Sequence, residues 1–123
     1  MNKYNARQVA IGDDVFDSKK EAKRFLMLKQ MEREGKIFDL QRQVKFVLIP
    51  AQREPDKTGP KGGVIKGKTI EKECSYIADF KYTTETGIVV EDVKGYKRGG
   101  AYSVFSIKRK LMLKEYGIRV KEI

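Results

Sequence analysis

The chain has 123 residues and a mass of 14.2 kDa, enough for one compact domain with a modest core. Lys and Arg number 27 against 17 Asp and Glu, so the net charge of +10 points to an anionic partner, nucleic acid first. There is no histidine, which removes Ser-His-Asp hydrolysis, Cys2His2 zinc fingers and every imidazole base.

Met1 to Val9 is polar and lacks an apolar signal core, and Cys74 has no second cysteine to pair with. Both features predict a cytoplasmic protein. The first element expected is a helix from Ser18 to Glu34. Ser18 and Glu21 have capping-box spacing, Phe16 can staple the entry, and Gly35 supplies the stop. Ala22, Phe25, Leu26 and Leu28 form its apolar stripe. Gln43 to Ile49 reads as a strand closed by Pro50. Residues 51–68, with Pro55, Pro60, four glycines and five basic residues, read as a mobile basic loop with a hairpin-like excursion.

Extended runs over 71–82 and 88–94 flank a turn at 84–87, which predicts an antiparallel hairpin. A second helix is expected over 102–116, with Val104, Ile107, Leu111 and Met112 inward and Gly117 as its stop. A last strand follows over 118–123. The order helix, three strands, helix, strand makes this a single α/β domain, a central mixed sheet flanked by helices with the last helix as a crossover. No segment is long and apolar, so an anionic membrane fits the charge less well than nucleic acid.

Strand alternation places Val90, Asp92 and Lys94 on one face and Val89, Glu91 and Val93 on the other. A carboxylate and an ammonium so spaced can serve one metal-and-phosphate site, or form an ion pair at a strand end. Asp79 interrupts an apolar strand, its alternation shared with Ile77 and Lys81, and the hairpin brings it towards Asp92. Two acids and a lysine suit Mg²⁺ or Mn²⁺; the alternative is a structural Asp79–Lys94 pair. Glu21 falls inside the apolar stripe of its helix, so it is either a cap alone or a third acid of the site. Lys108, amid the stripe of the second helix, either snorkels or meets a phosphate.

Phe16 to Glu21, Tyr76 to Phe80 and Glu91 to Gly95 resemble small phage-type proteins of the PD-(D/E)xK nuclease superfamily, related to Holliday-junction resolvases. The resemblance runs from about Tyr4 to Ile123, with Ala78 in place of the motif's proline. It implies a restriction-endonuclease-like αβββαβ core and Mg²⁺-dependent hydrolysis of DNA phosphodiester bonds in phage recombination, replication or processing, inside a bacterial host cell. By position it implies catalytic roles for Asp79, Asp92 and Lys94, with Glu21 as the acid of the first core helix. Lys61, Lys66, Lys97, Arg98 and Lys108 are the expected DNA contacts. Tyr96 and Tyr102 are available either for stacking on an unpaired base or for packing. Val89 and Val93, read as an apolar outer face, are the candidate surface for a homodimer. The competing reading is a non-catalytic nucleic-acid-binding module on a nuclease-like fold; a ribosomal-protein-like RNA binder explains the charge but not the inward acids.

Overall fold

The computed structural model of the chain describes residues 8–95 and 97–123. In chain order its elements are β1 (Val9–Ile11), β2 (Asp14–Phe16), α1 (Lys19–Arg33), β3 (Phe38–Ile49), β4 (Gln52–Arg53), β5 (Lys57–Thr58), β6 (Val64–Ile65), β7 (Thr69–Glu71), β8 (Cys74–Thr84), β9 (Gly87–Asp92), α2 (Gly100–Tyr116) and β10 (Lys121–Glu122). The central mixed sheet has the order β10-β9-β8-β3.

Local chemistry sets the ends of α1. The Ser18 hydroxyl accepts the Glu21 N–H at 3.1 Å, and the Glu21 carboxylate accepts the Asp17 N–H at 3.1 Å. This is a capping box whose return bond lands one residue earlier than usual. Gly35, at φ +74°, takes the left-handed turn that ends the helix. Glu21, Ala22, Phe25 and Leu28 are buried, whereas Leu26, expected inside, is 51% exposed. It stands about 100° round the helix from Phe25, beyond the inward stripe.

The hairpin of β8 and β9 forms as expected, with Thr84 opposite Gly87. From β9 the chain crosses through α2 to β10, which pairs parallel to β9 with Lys121 opposite Glu91 and Glu122 opposite Asp92. Two further backbone bonds, Ile123 N–H to Asp92 O at 2.9 Å and Lys94 N–H to Ile123 O at 3.1 Å, carry this ladder past the end of β9.

Residues 51–68 belong to an arm held by two short antiparallel ladders, β4 with β7 and β5 with β6. Gly67 approaches the Glu54 carbonyl so closely that any Cβ would collide with it, a constraint that composition alone does not reveal. The β1–β2 hairpin was not anticipated either. Its strands are three residues each, too short for an alternation signal. It seats Phe16 against Phe25, ring centroids 5.0 Å apart.

The core has two layers. Phe16, Ala22, Phe25, Leu28, Ile37, Phe80 and Tyr82 pack with α1. Phe46, Leu48, Tyr76, Ala78, Val90, Phe105, Met112 and Val120 pack with α2. Adjacent Val89 and Val90 join different layers, so the two helices cover opposite faces of the sheet. Val89 and Val93 are therefore half-buried under the α1 layer and do not form an outer dimer face. On α2 the inward residues are Phe105 and Met112, while Val104 and Ile107 are exposed. Among the described residues no helix is long and apolar enough to cross a membrane.

Candidate functional site

Strand alternation reverses at Asp79. Tyr76 and Ala78 pack under α2, yet Phe80 and Tyr82, of the same parity, pack under α1. Across the ladder, Arg42 pairs with Phe80 and Val44 with Ala78, and between them Gln43 adopts φ +52°. A left-handed non-glycine residue costs ~1–2 kcal/mol, so the surrounding contacts must hold it. Ile77, Asp79 and Lys81 consequently do not share one face, contrary to the regular two-residue period. The Gln43 side-chain amide donates to Glu21 Oε1 at 3.3 Å and to Asp79 Oδ1 at 3.4 Å. One donor thus bridges the α1 acid and the β8 acid.

Asp92 meets the same group from β9. Its carboxyl is near enough to that of Asp79 for each to shift the other's titration. Tyr76 OH donates to Asp92 Oδ2 at 2.7 Å, and the Lys94 ammonium stands 3.3 Å from that oxygen. Asp79 Oδ2 accepts the Val93 N–H at 2.8 Å. Burial is the main reason that both carboxyls are pushed up to about 6, ahead of the contacts between acids: Glu21 adds to the rise of Asp79, and Asp79 to that of Asp92. Asp92 and then the Val93 N–H oppose the shift at Asp79, as Tyr76 and Lys94 do at Asp92. Lys94 pairs with Asp92, not with Asp79 as in the structural alternative.

Lys94 is held on three sides. Its ammonium sits 3.5 Å from the Phe105 ring centroid, a cation–π contact from α2. The Lys20 ammonium donates to its carbonyl at 2.7 Å, and its N–H enters the β10 ladder. From Asp92 and Lys94 a groove of about 370 Å³ opens between β8 and α2, lined also by Ser75, Ile77, Val104 and Lys108.

The fold therefore brings together Glu21, Asp79, Asp92 and Lys94, and adds Lys108 at the groove. It does not bring Lys61 or Lys66 into that lining; both are exposed on the arm, where Lys66 stands 3.9 Å from Asp56. Lys97 and Arg98 are exposed just ahead of α2. Tyr102 packs against Phe105 and donates to Glu122 Oε1 at 2.7 Å, which favours packing over stacking. Tyr96 lies outside the described residues, as do residues 1–7, which include Tyr4. Among the described residues no three Asp, Glu, Cys or His side chains stand close enough to enclose a metal ion. Gln43 is inserted between Glu21 and Asp79, and Tyr76 and Lys94 draw on Asp92.

Residues 1–122 match the family described as Protein of unknown function (DUF1064). The chain belongs to that family. Comparison with curated proteins and with solved structures returns no match.

In this DUF1064 member, Gln43 and Tyr76 touch the acids although nothing in the sequence singles them out. Neither carries a charge, Tyr76 only opens the run 76–80 that holds Asp79, and the cross-strand geometry is what reveals their contacts. Glu91 was assigned to the face opposite Asp92, and there it is fully buried. It receives the Arg24 guanidinium in a two-pronged contact at 2.8 and 2.6 Å, and a short hydrogen bond from Tyr82 OH. This trio ties α1 to β9, the elements that carry Glu21 and Asp92.

Proposed function

We propose that the protein is a metal-dependent endonuclease that hydrolyses DNA phosphodiester bonds, using the PD-(D/E)xK arrangement that its sequence resembles. The observation that carries this reading is the convergence of Glu21, Asp79, Asp92 and Lys94 from α1, β8, β9 and the segment beyond it. Two buried acids close together carry a cost in desolvation and mutual repulsion that a bound cation would offset. The order α1, β3, β8, β9, α2, β10 is compatible with a restriction-endonuclease-like core.

The donor chemistry suits Mg²⁺ or Mn²⁺: Asp79 and Asp92 offer hard carboxylate oxygens, and Glu21 stands beside Asp79. A bound dication supplies charge neutralisation at the phosphate and makes a nearby water more acidic. The chain's own residues do the rest. Lys94 presents an ammonium, fixed by Phe105 and Asp92, to the negative charge that develops on the phosphate. The Val93 N–H and Tyr76 OH orient the two acids. Lys97, Arg98 and Lys108, with Lys61 and Lys66 on the arm, bind the backbone of the nucleic acid.

A second reading is a non-catalytic DNA-binding module. It is favoured by the partners that the acids already have in Gln43, Tyr76 and Lys94, and by the lack, among the described residues, of a three-acid cluster able to enclose a metal ion. Cleavage assays on supercoiled plasmid, single strands and a four-way junction with Mg²⁺, Mn²⁺ or EDTA separate the two. The nuclease reading expects metal-dependent cleavage that Asp92→Ala and Lys94→Ala abolish while DNA binding persists. No cleavage of any substrate, or cleavage unchanged in both variants, overturns the nuclease reading of this site.

A further inference from the structure

We propose that the groove between β8 and α2 takes one unpaired nucleotide, its phosphate on Lys108 and its base or sugar against Val104 and Ala101, so that the substrate contains a single-stranded element. This rests on the nucleic-acid reading of the site and specifies its substrate class. Three observations lead to it.

The first is size. At about 370 Å³ the groove is the size of a small-molecule site, room for one nucleotide and not for stacked base pairs with two backbones. The second is charge. Lys108 is half-buried on the groove wall, and among the described residues its ammonium has no ion-pair partner. Lys94, at the inner end, is already engaged by Asp92 and Phe105. The groove thus offers a cation without an anion, a short way from the acids. The third is the apolar wall. Val104 is 52% exposed and lines the groove beside Ala101, across from the edge of β8. Aliphatic groups left open beside a lysine suit the face of a base or a sugar. Phe105, whose ring is covered by Lys94, is not available for stacking. The contact is consequently aliphatic, and tolerant of base identity.

Binding is measured in EDTA, so that cleavage plays no part. The full chain is titrated with a fluorescent oligothymidylate and with a blunt duplex of equal phosphate number, at several salt concentrations. The single strand is expected to bind roughly tenfold more tightly. Lys108→Ala is expected to weaken single-strand binding by about tenfold and to lower its salt slope by ~0.7, with a clearly smaller loss for the duplex. Ala101→Trp, at an exposed helical position, fills the groove and is expected to have the same selective effect; thermal melting verifies that it folds. Equal affinity for both probes, or single-strand affinity unaltered in both variants, overturns the proposal. The nuclease reading stands or falls separately, on cleavage with Mg²⁺.

Discussion

Asp79 and Asp92 show how one carboxyl changes the meaning of another. With both pushed up to about 6 by burial first, the native state takes up protons at a higher pH than the unfolded chain does. The sign follows directly. Between about pH 6 and 4 the native state binds more protons than the unfolded state, so this pair's contribution to stability grows as the pH falls through that window. Above 6 the ionised pair is a standing cost. Asp92→Asn removes one of the two charges but keeps an oxygen for Tyr76, so it is expected to stabilise the protein at pH 7.5. Solvent screening at the groove mouth limits the gain to about 1 kcal/mol. The gain should fade towards pH 4, and thermal melts of both proteins across that range measure it. A variant less stable than the parent at pH 7.5 would show that the Lys94 contact outweighs the repulsion. The same carboxyls give any cleavage an acid limb, with activity falling as the pH drops below the point where the pair is ionised.

Between elements, the tie of Arg24 to Glu91 governs how α1 sits on β9. The Glu91 side chain is fully buried and that of Arg24 only 16% exposed, so the pair is shielded from solvent. Removing the cation strands a buried carboxylate, and Arg24→Ala is expected to cost about 3–5 kcal/mol in a denaturant titration. The double variant Arg24→Met, Glu91→Leu should recover most of that loss, because it leaves no buried charge unpaired. Lys at position 24 should recover little, since it lacks the planar two-pronged fork. The single variant near parental stability would refute the tie. Such couplings mark the limit of what the sequence discloses. The Ser18–Glu21 cap, the Gly35 and Gly117 stops and the turn before Gly87 are legible because they depend on neighbours a few residues away. So is the pairing of Asp92 with Lys94, set by strand period. Gln43 at positive φ, the reversal at Asp79 and the Arg24–Glu91 contact join residues tens of positions apart, and no local period encodes them. The stripe of the second helix is legible only in part, for another reason. Met112 is inward and Leu111 packs against the core as expected, but Phe105 stands in for Val104 and Ile107, because the helix has apolar residues on two sides. Val104 and Ile107 fit a periodic stripe as well as Phe105 and Met112 do, and only packing against Tyr76 chooses between them.

For the molecule as a whole, the site is a junction of its two layers. Glu21 comes from the α1 side, the Phe105 that seats Lys94 from the α2 side, and Asp79 and Asp92 from the sheet between them. A cation held by acids from both a helix and two strands would therefore brace the entire domain, and its binding should register as global stability. If Mg²⁺ binds with a Kd near ~1 mM, about 10 mM Mg²⁺ stabilises the native state by roughly 1.4 kcal/mol. For a chain of this length that raises Tm by about 3–7 °C. The carboxyls compete with protons for the ion, so the shift should be largest at pH 7.5 and should shrink at pH 5, below the value of about 6 at which both acids titrate. A net charge of +10 makes the fold sensitive to salt in general, and NaCl of matched ionic strength measures that background. Asp79→Asn and Asp92→Asn should each abolish the Mg²⁺ increment while leaving the NaCl response intact. An increment that survives in both variants, or that NaCl reproduces, would place the ion elsewhere on the surface and leave the two acids as a buried pair without a metal.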